Sequence, residues 1–181
     1  MLLDTPLCDF GWEAPSFSLP DLDGSLRTLE DAMGERGLLV AFICNHCPYV
    51  KAVIERFVAD TRALAADGIA TVAIMPNDYR RVPADGPDMM RRFAKRHGFH
   101  FPYLLDESQS VAAAYDAVCT PDFFGFNASG RLQYRGRIDS AMMGPADQRV
   151  PELLDAMRLV AETDQGPRAQ SPSMGCSIKW L

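Results

Sequence analysis

Two continuous apolar runs, "GLLVAFIC" (Gly37–Cys44) and "IATVAIM" (Ile69–Met75), constrain this chain more than any other feature. Each is rich in β-branched or large apolar residues without polar alternation, the pattern of a strand covered on both faces. Between them, from about His46 to Ala66, the residues Val50, Val53, Ile54, Phe57, Val58 and Leu64 recur at helical spacing. Pro48 is acceptable in a first helical turn and Asp67-Gly68 supplies a stop. Strand, helix, strand in that order predicts a right-handed crossover and parallel pairing. Cys44 then lies at the carboxyl end of a buried strand, the edge at which open α/β sheets carry their chemistry.

The remainder continues the alternation. "APSFSLPDLDGSLRTLEDAMG" predicts a hairpin turning at Asp23-Gly24 and running into a short helix. "PNDYRRVPADGP" reads as a loop, followed by a helix near Asp88 to His97, a short strand at "PYLLD" and a helix through "SVAAAYDAV". "DFFGFNASGRLQYRGRI" gives an antiparallel hairpin around Asn127 to Gly130, and an amphipathic helix spans roughly Arg149 to Glu162. Residues 164–173 are too polar and Pro/Gly-rich to pack, yet they lead to an apolar end, "MGCSIKWL", which should dock on the domain. The expectation is one α/β domain over 1–163, a central mixed β-sheet flanked by helices with an N-terminal β-hairpin, followed by a linker and docking tail over 164–181.

With 181 residues and 48% hydrophobic content, the chain can bury one sizeable core. A net charge of −6, with no basic cluster denser than "MRRFAKRH", gives no electrostatic reason to expect nucleic acid or an anionic membrane as partner. The N-terminal stretch lacks a basic n-region and an apolar h-region, and no run reaches membrane-spanning length, so a cytoplasmic location is expected. Five cysteines are an odd number and too few for a disulfide scaffold. In a reducing compartment a close pair points to redox or metal chemistry.

Cys44 and Cys47 form that pair, with Asn45 and His46 between them. At a strand-to-helix junction the first sulfur faces free helix N–H groups and the positive end of the macrodipole, which favour thiolate. Cys44 is therefore expected to be the exposed, low-pKa nucleophile and Cys47 the more buried resolving residue. Such sites lower a thiol pKa from about 8.5 to roughly 3.5–7.5. A protonated His46 beside the thiolate would stabilise the reduced form and make the pair more oxidising. Two other readings stand beside this one: passive packing of small apolar residues, and zinc, of which a C-x-x-C is half a site. No second such pair exists, and the loose candidates for further ligands are His97, His100 and Cys176. Haem attachment is excluded because Pro48, not histidine, follows Cys47.

Three separated segments, "FICNHCP", "CTPDFFGFNASGRLQYRGRID" and "APSFSLPDLDG", resemble the thioredoxin superfamily. The chain is most similar to bacterial peroxiredoxin-like, redoxin-type (AhpC/TSA-like) proteins, whose members share "NHCPYVKA", "FPYLLDESQ", "TPDFF" and an ending like "GCSIKW". The resemblance implies a thioredoxin-like fold and a thiol-disulfide oxidoreductase without a cofactor. Its partners would be a disulfide-containing protein or a small thiol or peroxide, and a thioredoxin- or glutathione-type reductant. It also implies that Pro121 is a cis-proline opposite the cysteines and that the Thr120 backbone pairs with an incoming peptide. The likeness to true peroxidases is weaker: Ala41 and Gly37 stand where those enzymes have Thr or Ser and Pro, and Thr120-Pro121 stands near the position of their arginine. Against thioredoxin, Ile43 replaces tryptophan and Asn45-His46 replaces Gly-Pro. A peroxidase acting through Cys44 and a non-catalytic metal-binding module are the alternative functions. In the tail, Cys176 is either a passive small residue or a third redox thiol. Cys119 reads as a small residue against the sheet, and Cys8 as part of a mobile arm with no role.

Overall fold

The computed structural model describes residues 1–181. The first apolar run forms strand β4 (Gly37–Phe42) and the second forms β5 (Ile69–Met75), joined by helix α2 (Pro48–Ala66) and paired in parallel from Gly37↔Ile69 to Phe42↔Ile74. Strand β6 (Tyr103–Leu105) adds in parallel to β5, while β8 (Asp122–Asn127) pairs antiparallel with β4 and β9 (Leu132–Tyr134) antiparallel with β8. The result is a mixed five-stranded sheet in the order β6-β5-β4-β8-β9.

Alternation along β4 feeds two cores. Leu39 and Ala41 face α2, together with α3 (Pro87–His97) and α5 (Glu152–Thr163). Leu38, Val40 and Phe42 face the opposite layer, where Tyr115 stacks edge-on against Phe42 and Phe124 beside α4 (Ser110–Ala114). Because both faces are covered, β4 has no polar positions to reveal its period.

The N-terminal hairpin is present as β2 (Ser18–Pro20) and β3 (Leu26–Thr28), running into the one-turn helix α1 (Leu29–Ala32), which Thr28 and Asp31 close with a reciprocal capping box. Helix α2 starts at Pro48, later than expected, because the backbone N–H groups of Asn45 and His46 bind the Asp85 carboxylate instead of entering the helix. Helix α5 starts at Glu152, not Arg149, because Arg149 is committed elsewhere. Its guanidinium forms a two-bond pair with Asp60 of α2 (2.6 and 2.8 Å) and reaches Asp139 (3.2 Å). Asp139 in turn binds Arg56 of α2 at 2.6 and 3.2 Å.

Three features at the chain ends differ from expectation. The arm carrying Cys8 is ordered: Leu2–Asp4 form β1, Thr5 is buried, and Cys8 packs against the second core. Residues 164–173 do pack, through amide chemistry and not apolar contact, since Gly166 N–H donates to the Gln133 side chain and Gln170 bonds both the Gln133 carbonyl and the Arg135 N–H. The apolar end docks as β10 (Met174–Ser177), between β1 and the two-residue strand β7 (Cys119–Thr120), in a second sheet ordered β1-β10-β7.

Gly175 makes that docking possible. A Cβ there would lie 2.1 Å from the Thr120 carbonyl oxygen and 3.0 Å from the Pro121 nitrogen, both of them backbone atoms that cannot swing aside. Overpacking of this kind costs about 1–3 kcal/mol, which the chain can relieve by releasing a three-stranded edge more cheaply than by moving the main sheet. Gly175→Ala is therefore expected to raise hydrogen exchange at residues 174–177 while leaving β4 and β5 protected; unchanged exchange in the tail would contradict the close approach.

Candidate active site

Cys44 follows the last residue pair of β4, and Cys47 is the N-cap of α2. Opposite them the Thr120–Pro121 peptide bond is cis. Thr120 touches both sulfurs: its hydroxyl lies 3.4 Å from Cys44 Sγ, and its carbonyl accepts from the Cys47 thiol at 3.3 Å. Both cysteines have no solvent exposure (0%). The expected difference, with Cys44 exposed and Cys47 shielded by the first helical turn, is absent because the docked tail covers them. Cys176 on β10 pairs directly with Thr120, so the edge expected to receive an incoming peptide is filled by the chain's own strand.

Asp85, from the 3₁₀ turn Pro83–Asp85 in the loop after β5, is the site residue that the sequence did not reveal. It is fully buried and accepts from Asn45 N–H (2.9 Å), His46 N–H (3.3 Å), Asn77 Nδ2 (2.9 Å) and His46 Nδ1 (2.7 Å). Removing one partner from a buried charge of this kind costs roughly 3–5 kcal/mol. Asn45 is held equally firmly, its side chain donating to the Ala84 carbonyl and accepting from the Tyr103 hydroxyl. Both residues between the cysteines therefore serve first to fix the loop, and His46 is turned toward Asp85.

The two thiols influence one another strongly, so the first proton leaves the pair more easily than the second. With both protonated, Cys47 donates to Thr120. The nearness of the Cys44 thiol, and of the Val50 and Cys176 N–H groups, draws the Cys47 thiol below the usual thiol range. Cys44 is pushed up by donating to Cys47, by burial and by the Asp85 charge. These directions favour the lower pKa on Cys47 in this tail-docked arrangement, opposite to the expectation drawn from helix position alone.

The remaining candidates disperse. His97 bonds Glu55 and His100 bonds Thr61, so neither approaches the cysteines as a metal ligand. Ligand atoms of Cys44, His46 and Asp85 do lie within 4.8 Å of one another. The Asp85 oxygens are already engaged by four N–H donors, which an ion would have to displace. Cys119 turns to the Pro121 carbonyl, and burial raises its pKa. Burial likewise pushes Cys8 up to about 11.

The AhpC/TSA family model matches residues 10–135, a span that includes the cysteine pair, Asp85 and Thr120-Pro121. The chain belongs to the AhpC/TSA family. Relatives within reach carry two kinds of name. The thiol-disulfide oxidoreductase ResA of Bacillus subtilis is 26% identical over 122 residues, covering 67% of this chain and 64% of that protein, a little under two thirds of its length. Peroxiredoxin Bcp of Escherichia coli K12 is 30% identical over 142 residues, covering 78% of this chain and 82% of that protein.

Among solved structures, an uncharacterized conserved protein of Geobacillus kaustophilus superposes with a TM-score of 0.95 at 37% identity, covering 100% of this chain and 97% of its own. A hypothetical protein of Sinorhizobium meliloti 1021 gives 0.92 at 38%, covering 98% and 97%. Peroxidoxin BcpB of Mycobacterium tuberculosis, at 19% identity and a TM-score of 0.57 over 68% of this chain and 81% of its own, shares the fold. Relatives that are oxidoreductases and peroxiredoxins support a redox function on a thioredoxin-like fold for this AhpC/TSA member.

Asp85 offers a direct check on the electrostatics. In a Cys47→Ser background, Asp85→Asn removes a negative charge beside Cys44 while keeping an acceptor for the loop N–H groups. The loss of an anion favours thiolate, so the alkylation pH profile of Cys44 is expected to shift down by about 1–2 units. An unshifted profile would mean that Asp85 carries no charge felt by Cys44.

Proposed function

We propose that this chain is a thiol-disulfide oxidoreductase whose working couple is Cys44 and Cys47. A single observation carries the reading: both sulfurs converge on Thr120 beside the cis peptide, and the charged group bearing on Cys44 is an acid, Asp85. An acid there disfavours a peroxide mechanism, which needs donors or cations to polarise the O–O bond and stabilise departing oxygen. A dithiol pair needs none of these. One thiolate attacks a substrate disulfide and displaces one thiol, and the second cysteine attacks the mixed disulfide and displaces the other. The substrate loses its S–S bond and gains two electrons, and the protein is left with a Cys44–Cys47 disulfide. An external dithiol or glutathione-type reductant restores the pair.

The substrate is a disulfide of a protein or of a small thiol, and a cytoplasmic setting belongs to the same proposal, resting on the odd number of cysteines. Antioxidant peroxidase activity is the second reading, favoured by the Thr120 hydroxyl near Cys44 and by the likeness to Bcp.

Cys44→Ser and Cys47→Ser are each expected to lower disulfide-reductase turnover at least a hundredfold, measured with an insulin-type protein disulfide and a dithiol reductant. Stopped-flow mixing of reduced protein with hydrogen peroxide separates the readings: thiol loss no faster than that of a free cysteine supports the oxidoreductase, and loss many times faster supports the peroxidase.

A further inference from the structure

The oxidoreductase reading leaves a difficulty, since neither Cys44 nor Cys47 can be touched by solvent in the docked chain. A third sulfur stands at the same place. Cys176 is only partly buried and pairs directly with Thr120, the residue that contacts both other sulfurs. It also packs against the core cluster that contains Cys44 and Cys47, so two fully buried sulfurs are covered by a third that reaches the surface.

The strand that carries Cys176 is held as firmly as a bound ligand. Ser173 Oγ donates to the Pro121 carbonyl at 2.9 Å, and Asn77 accepts from Lys179 N–H at 2.9 Å while donating to Asp85. Gln109 bonds both the Lys179 carbonyl and the Leu181 N–H. An extended segment added antiparallel along a strand edge, with one side chain delivered to the reactive group, is how peptides are presented to such edges. Here the delivered side chain is a cysteine, and Gly175 before it is what lets the strand come so close.

We propose that Cys176 is the solvent-facing member of a three-thiol relay, receiving the substrate disulfide and passing oxidation inward to the Cys44–Cys47 pair. The inference rests on the dithiol reading above. Cys176 attacks a disulfide RS–SR′, its proton moves to the Cys47 thiolate, and R′S⁻ leaves with the electrons of the broken S–S bond. The R′S⁻ takes the proton from Cys47, whose sulfur attacks Cys176 Sγ, forming Cys47–Cys176 and expelling RS⁻. Cys44 then attacks Cys47 Sγ, its proton passing to the departing Cys176, and Cys44–Cys47 forms with Cys176 regenerated as a thiol. The substrate has gained two electrons, the Cys44/Cys47 pair has lost them, and RS⁻ is protonated by solvent. An external dithiol reduces Cys44–Cys47 by the same path in reverse.

The test uses the full reduced chain and a chromogenic aromatic disulfide, with release of the aromatic thiol and the disulfide-linked peptides both followed. Cys176→Ala is expected to form Cys44–Cys47 at least tenfold more slowly than wild type. Cys44→Ser, treated with one equivalent, is expected to accumulate a Cys47–Cys176 peptide, and this measurement stands even if Cys176→Ala folds poorly. Oxidation of Cys176→Ala at the wild-type rate or faster would overturn the relay, as would a Cys44→Ser protein whose Cys176 stays freely alkylated. If wild type forms no Cys44–Cys47 disulfide at all, the dithiol function itself fails, whereas normal wild-type oxidation with an indifferent Cys176 sinks only the relay.

Discussion

Everything at this site is referred to the backbone of Thr120. Its carbonyl meets Cys47, its hydroxyl meets Cys44, and its strand edge is paired to Cys176. These contacts come from segments about 75 and 56 residues away in sequence, so no local preference could assemble them. They are assembled because β4 and β8 lie side by side in the main sheet, bringing the end of one level with the start of the other at Phe42↔Asp122. The two residues before β8 are then held at the depth of the cysteines. Asp122 secures this junction from below through its buried pair with Arg135, at 3.0 Å, and by accepting the Val118 N–H.

A second constraint links the cysteine loop to the tail. Asp85 gathers the N–H groups of Asn45 and His46, and Asn77 spans from Asp85 to the backbone of Lys179. One amide side chain therefore has a bond to the loop's anchor on one side and to the covering strand on the other. The carboxylate occupies the N–H groups of Asn45 and His46, which are then not free to solvate a thiolate on Cys44. Hydrogen-bond donors that are spent elsewhere cannot favour a thiolate, so distance from the helix end alone does not set which sulfur titrates first.

The sheet was legible in the sequence where burial is complete on both faces, because β4 and β5 then become unbroken apolar runs, and α2 shows its period in Val50, Val53, Ile54 and Phe57. Cys44, Cys47 and Thr120-Pro121 were legible as a spaced set of residue types with a shared chemistry. Asp85 was not, since its partners are chiefly N–H groups about 40 residues away, and an acid in a Pro- and Asp-rich loop looks like any solvated turn residue. Strand β1 has only three residues, "LLD", too few to show a period. The packing of residues 164–173 is not legible in the sequence, because a polar composition signals poor apolar packing and says nothing of side-chain amides such as Gln133 and Gln170 that satisfy backbone groups. The exposure of the cysteines depended on a cover arriving from the far end of the chain.

The Arg56, Asp60, Asp139 and Arg149 cluster fastens α2 to the segment before α5 by four charge-assisted bonds, with a fifth between Arg149 and Asp139 inside that segment. Its net worth in folding free energy is modest, because desolvating four charges offsets much of their attraction. Its mechanical effect is larger. Helix α2 has Cys47 as its N-cap and is braced along its length, while β10 is only four residues long and belongs to the small β1-β10-β7 sheet, not to the main one. When sulfurs shorten their separation from contact to covalent distance, the displacement must be taken up somewhere, and the braced helix is the stiffer spring. The molecule thus sets a braced helix that fixes one sulfur against a small three-stranded edge that carries another, so strain from a bond between them would fall on that edge before it reached the main sheet.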